Sequence, residues 1–237
     1  MENLRHIPCE NIQNCRDLGG YPIRGGGATK FGRLLRCGIP KKITAADMNF
    51  LKQYGVKTVF DLRGDLESIA IPSGIESDPF FDYNQISLLE VNPAEPNTHV
   101  PMPEIYLSTI CDCADNVGWL FKKLSKLTEP AMFHCFLGKD RTGITAALIL
   151  TLNGVYFEDV VADYAASAAY LEPFYRYEIE HETGLIWEQD PDKLDSKSVN
   201  ILRVFEYIER VYGTVEDYLM AHNVTAKEID RVCELLR

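Results

Sequence analysis

The sequence predicts an α/β fold, a central sheet flanked by helices, on three observations. A capped helical segment near residue 44 runs into Gly55 and a buried-strand pattern at 56–63. A second helical stripe at 115–127 is followed by the apolar run Ala131-Met132-Phe133 and then another helical segment. Between that run and that helix lies a Cys- and Gly-containing loop of the kind that holds an anion. Helix, strand, loop and helix around an anion site is α/β architecture.

Taken in order, the stretch from Asn11 to Pro22 carries Gly19-Gly20 before Tyr21-Pro22, a tight-turn signal. Gly25-Gly26-Gly27 reads as a hairpin tip joining residues 21–23 to 31–36, since no helix follows that would make it a phosphate cradle. Thr44 is a helix N-cap with Asp47 three residues on; Met48, Leu51 and Tyr54 share a face and Gly55 stops the helix. The strand at 56–63 ends in Asp61-Leu62-Arg63, and carboxyl ends of strands line the crevice of open α/β sheets. Residues 72–104, with Pro93, Pro96, Pro101 and Pro103, read as loop with a short strand over 82–88. The helix at 115–127 presents Trp119, Leu120, Leu124 and Leu127 as its apolar stripe.

The segment 142–153 is apolar on nearly all faces and reads as a core helix ended by Gly154, followed by a helix over 157–169. The interval of about 170–197 is aromatic and acidic, with Tyr170, Phe174, Tyr175, Tyr177 and Trp187. It reads as a helical insertion packing on the core and equally, by the family resemblance set out below, as a lid over the site. Residues 198–237 read as two helices packed on the core, the first striped by Val199, Leu202, Val204, Phe205 and Ile208 and broken at Gly213, with Val215 to Ala221 plus Ala226 to Leu236 following. The expectation is one domain over 1–237.

The net charge of −11 argues against nucleic-acid partners and against stable association with acidic membranes, both of which need a basic surface. No run reaches transmembrane length and the N-terminus lacks a basic-then-apolar leader, so a cytoplasmic location is expected. The odd set of seven cysteines has no framework spacing, and Cys111-x-Cys113 has no second pair, so neither disulfides nor a metal is expected; no cofactor motif is present.

The chemistry concentrates in His134-Cys135-Phe136-Leu137-Gly138-Lys139-Asp140-Arg141-Thr142-Gly143. A cysteine six residues before an arginine, between a strand and a helix, lets backbone N–H groups and the helix N-terminus converge on a dianion. Cys135 would lie beneath it as a thiolate and Arg141 would offer a planar fork. A nucleotide-binding Walker loop is excluded because Asp140 follows Gly138-Lys139 where Ser or Thr is required.

The ten residues match the signature of the cysteine-dependent protein tyrosine phosphatase superfamily. The Gly-Lys-Asp-Arg wording resembles the bacterial tyrosine/serine phosphatases that also act on phosphoinositides, and the Asp-Arg-Thr of myotubularin lipid phosphatases. The stretch Asn14 to Tyr21, the strand end Asp61-Leu62-Arg63, Asp163-Tyr164 and the phrase from Tyr212 to Leu219 resemble the same bacterial family. The resemblance implies a phosphatase-like fold and hydrolysis of phosphate monoesters through a cysteinyl-phosphate on Cys135 without metal. Phosphotyrosine in proteins is the first substrate, with phosphoserine, phosphothreonine and phosphoinositides as others. A low-turnover phospho-binding module and a sulfur or arsenate redox enzyme are the alternatives.

In that reading Arg141 binds phosphoryl oxygens while Phe136, Leu137, Gly138, Lys139 and Thr142 form the substrate loop. Lys139 is a second cation at its mouth, and the Thr142 hydroxyl stabilises the thiolate. His134, Arg63 and Arg16 are supporting residues. The proton donor is Asp140 first and Asp61 second, since no Trp-Pro-Asp loop is present.

Overall fold

The computed structural model describes residues 5–88, 101–181 and 194–237. Its sheet has five strands in the order β1-β2-β5-β3-β4: β1 Arg16–Asp17, β2 Leu34–Cys37, β3 Thr58–Asp61, β4 Asp82–Gln85 and β5 Ala131–His134. β2, β5, β3 and β4 run parallel, with Cys37 and Asp61 both registered on His134; only β1 is antiparallel. Side chains alternate between two cores. Leu34, Phe60, Ala131 and Phe133 face the larger one, Leu35, Cys37, Val59 and Met132 the smaller. Strands buried on both faces suit a parallel sheet.

The smaller core is closed by α1 (Ala45–Tyr54), where Thr44 accepts from the Asp47 N–H and Gly55 takes the left-handed conformation that stops the helix. The larger core gathers α3 (Met102–Cys111), α4 (Ala114–Leu124), α5 (Asp140–Leu152), α6 (Phe157–Ala165) and three C-terminal helices, α8 (Ser198–Val211), α9 (Val215–Ala221) and α10 (Ala226–Leu235). α2 (Asp65–Ala70) follows β3, and α7 (Ser167–Glu180) follows α6.

Several elements depart from the sequence expectation. The Gly25–Gly27 turn closes only a Pro22–Ala28 bridge, while β2 pairs with Arg16–Asp17, because the chain between the turn and β2 leaves the sheet. The short strand ends at Gln85 rather than 88. Residues 102–111 form a helix, with Pro103 in its first turn where no N–H is needed. Trp119 is 46% exposed, and Val117, Leu120, Phe121 and Leu124 make the buried face of α4. The helix expected over 157–169 divides at Ala166, and the C-terminal part forms three helices because His222 to Thr225 turn the chain between α9 and α10. Pro93, Pro96 and Trp187 lie outside the described residues. Among the described residues, no helix is long and apolar enough to cross a membrane.

Candidate active site

β5 occupies the centre of the sheet and delivers Cys135 at its carboxyl end, and α5 starts five residues later at Asp140. Cys135 is buried. No side chain caps the N-terminus of α5, so its first N–H groups and its dipole are available to an anion.

The carbonyls of Phe136, Leu137 and Gly138 are turned outward. Phe136 O accepts from the Ile39 N–H at 2.9 Å, and Asn14 Nδ2 donates to Leu137 O at 3.2 Å and to Gly138 O at 2.9 Å. Arg36 Nη2 also donates to Gly138 O, at 2.8 Å. In a trans peptide the carbonyl and the following N–H point oppositely. The N–H groups of Leu137, Gly138 and Lys139 are therefore aimed into the loop, which makes a concave anion nest. Gly138 has φ +67°, and a Cβ there would lie 2.3 Å from the Cys37 carbonyl carbon, so only glycine fits.

Beneath the nest is a buried ionic network. Asp163 accepts from Arg16 Nε at 3.2 Å, from Tyr21 at 2.8 Å and from Arg36. Arg16 also contacts Asn14 Oδ1 and donates to the Asp163 carbonyl at 3.0 Å. Burial pushes the Asp163 carboxyl up, but Arg36 and Arg16 overcome it and hold the pKa down at about 2. Arg16 is thus a support for Asn14. Arg36 and Asp163 brace the loop from below, a role that sequence reasoning missed. The available signal was a charged residue inside the otherwise apolar strand Leu34–Cys37.

Asp61 and Arg63 form a sealed pair beside the loop. Arg63 Nε and Nη2 reach Asp61 at 2.9 Å and 2.6 Å, Tyr83 donates to Asp61 at 2.8 Å, and His134 Nδ1 is 3.7 Å away. Burial raises the Asp61 carboxyl, but Arg63, His134 and Tyr83 together hold it below its ordinary range. Arg63 also donates to Ile71 O at 2.6 Å, which anchors the end of α2. His134 is buried, and burial lowers its pKa; its ring meets Tyr83 and the Cys135 carbonyl, each at 3.2 Å.

Arg141 does not face an empty fork. Its Nη1 and Nη2 hold the Glu67 carboxylate from α2 at 2.7 Å and 3.1 Å. Burial works against the Arg141 charge, while Cys135 and Glu67 favour it, and its pKa is raised. Lys139, expected as a cation at the mouth, is instead buried, with Nζ donating to Asp195 O at 2.9 Å and lying 3.6 Å from Asp140 Oδ1. Asp140 is 29% exposed and accepts from Tyr106 of α3. The Thr142 hydroxyl is buried without a hydrogen-bond partner, so the expected bond to the thiolate is not formed here.

α7, which lies in the interval expected as lid or insertion, packs Leu171 and Tyr175 onto Leu137. A cavity of about 550 Å³ opens beside it, with Ile39, Lys41, Phe136, Leu137, Phe174 and Tyr177 among its lining residues. Among the described residues, no group of three or more His, Cys, Asp or Glu gathers as a metal site.

A family model described as the tyrosine phosphatase family matches residues 7–237. A tyrosine-protein phosphatase of Nostoc commune is 30% identical over 204 residues, covering 81% of this chain and 69% of its own length. A Cupriavidus necator relative is 31% identical over 177 residues, covering 69% of this chain and 63% of its own. The triple specificity protein phosphatase PtpB of Mycobacterium tuberculosis is 49% identical over 39 residues, 16% of this chain and 14% of its own. The chain spans about two thirds of the length of the first two relatives.

Proposed function

The chain belongs to the tyrosine phosphatase family, and from that premise we propose that it hydrolyses phosphate monoesters through a cysteinyl-phosphate on Cys135, with phosphotyrosine in proteins as preferred substrate. The observation that carries this reading is the outward turn of the Phe136, Leu137 and Gly138 carbonyls around a buried cysteine at an uncapped helix start.

In the first step the Cys135 thiolate attacks phosphorus, the P–O bond to the substrate breaks, and the leaving oxygen takes a proton from Asp140. Arg141 exchanges Glu67 for two equatorial oxygens, while the nest N–H groups carry the charge that develops on the phosphoryl group. In the second step water attacks phosphorus, gives its proton to Asp140, and the S–P bond breaks. Ester and water are thereby converted to alcohol and inorganic phosphate.

Asp140 suits the proton donor better than Asp61. Asp140 is 29% exposed, whereas Asp61 is sealed between Arg63 and Tyr83 and held ionised. A phenyl-bearing substrate is favoured by the family, by the activity named for the Nostoc relative and by the aromatic wall of the adjacent cavity. Lys139 offers no extra positive charge to phosphoinositides, because its ammonium is committed inside the protein.

Turnover of p-nitrophenyl phosphate tests the reading. Full activity in chelator and loss of about 10⁴-fold or more in Cys135→Ser are expected. Activity in Cys135→Ser close to that of the parent, or loss on chelation, would overturn the mechanism. A panel of phosphotyrosine peptides, phosphoserine peptides and phosphoinositides then ranks the substrates.

A further inference from the structure

Asp140 is tied to a pair of phenols that the two-step chemistry leaves without a role. Tyr106, wholly buried on α3, donates to Asp140 Oδ1, and its oxygen lies 2.6 Å from the hydroxyl of Tyr164 on α6. A phenol carries one hydrogen. With the Tyr106 hydrogen on Asp140, the Tyr164 hydrogen is left to point at the Tyr106 oxygen. The chain therefore runs Tyr164 O–H to Tyr106 O–H to Asp140 Oδ1.

The sequence has made room for this chain at some cost in helix propensity. The Tyr164 ring passes over Gly143 in the second turn of α5, where an added Cβ would meet its Cδ2 at 2.9 Å. The two phenol rings meet edge to face at 5.9 Å. α3 also packs extensively on α8. Burial, with Asp140 adding to it, drives the Tyr106 pKa well above its ordinary value, so it remains a donor across the working pH range.

We infer that Tyr106 and Tyr164 are positioning residues for the proton donor. They fill Oδ1 of Asp140 from the protein side and leave Oδ2 to hold the proton and hand it to the leaving oxygen. In the second step Oδ2 takes the proton back from water, and neither tyrosine gains or loses one. The neighbouring residue on α6, Asp163, holds the anion nest through Arg36, so Asp163-Tyr164 aligns the nest and the acid from one helical turn.

This inference rests on Asp140 being the acid, and leaving-group dependence separates the two claims. A p-nitrophenolate leaves without protonation, whereas a phenolate needs it. Asp140→Asn should slow phenyl phosphate by about 100-fold and p-nitrophenyl phosphate far less. Tyr106→Phe should show the same selectivity, about 10-fold or more on phenyl phosphate and under about 3-fold on p-nitrophenyl phosphate. In the Asp140→Asn background it should cost nothing further, because it acts through that carboxylate. Inhibition by vanadate within about 3-fold of the parent shows that the nest is intact. Tyr164→Phe, which leaves the Tyr106 donor in place, should give a smaller loss of the same selectivity and carries the test if Tyr106→Phe does not fold. Equal losses on both esters, or a full additional loss in the Asp140→Asn background, would overturn the positioning role. Should Asp140→Asn itself slow both esters equally, the acid assignment falls and the positioning role with it. A selective Asp140→Asn with unselective tyrosine variants removes the positioning role alone.

Discussion

Asp61, at the end of β3, and Asp140, at the start of α5, flank the same loop and have opposite surroundings. Asp61 is 1% exposed, forked by Arg63 and bonded by Tyr83. Asp140 is 29% exposed, with one phenol on Oδ1 and an ammonium at 3.6 Å. A carboxylate with every lone pair engaged holds backbone in place; one with an oxygen to spare can carry a proton. Partners and exposure, not residue type or nearness to the loop, separate the clamp from the carboxylate proposed as the acid.

The contrast can be broken most forcefully at Asp61. Asp61→Ala strands the Arg63 guanidinium, which is 0% exposed, and should lower stability by about 3–5 kcal/mol. Chemical denaturation measures it, and a loss under about 1 kcal/mol would erase the distinction. Asp140→Asn should reverse the pattern: about 100-fold in kcat on phenyl phosphate with stability within about 1 kcal/mol of the parent.

Asp163 extends the clamp class and makes it visible in pH. Its carboxyl falls from the ordinary 3.8 to about 2, so the folded state releases this proton more readily than the unfolded chain. That stability, about 2 kcal/mol, is fully present above about pH 4 and is lost as pH falls through 2. Asp163→Asn should flatten the acid limb between those values in a pH series of urea melts. The smallest effect belongs to Thr142, whose hydroxyl is buried without a partner. Thr142→Val should raise the melting free energy by up to about 1 kcal/mol while slowing turnover by less than about 10-fold. A destabilised Thr142→Val would show that the hydroxyl already has a structural use.

What the sequence made legible was local. Thr44, Asp47 and Gly55 mark α1 because caps act within a few residues, and Cys135 to Gly143 mark the loop because strand, nest and helix are contiguous. Helix α3 was hidden by Pro103, a residue that signals loop in most settings and is tolerated in a first helical turn. The partners of the site were hidden for a different reason. Arg36 is 127 residues from Asp163, and Tyr106 is 34 from Asp140. No periodicity or cap reports contacts of that span, which the packing of α3 and α6 against α5 creates. Lys139 was misread because a lysine in a polar loop is ordinarily solvated, whereas here Asp195, from the far side of the chain, supplies its acceptor.

The Glu67 carboxylate in the Arg141 fork changes what substrate binding is. A phosphate bound by Arg141, as proposed above, would have to evict a tethered rival already held at 2.7 Å and 3.1 Å. Simple carboxylates, which offer the fork no more than Glu67 does and cannot also fill the nest, gain nothing by the exchange. After hydrolysis the rival is still on α2, at an effective concentration that dilution cannot lower. If Arg141 takes phosphoryl oxygens as proposed, the return of Glu67 would displace inorganic phosphate and help to clear product.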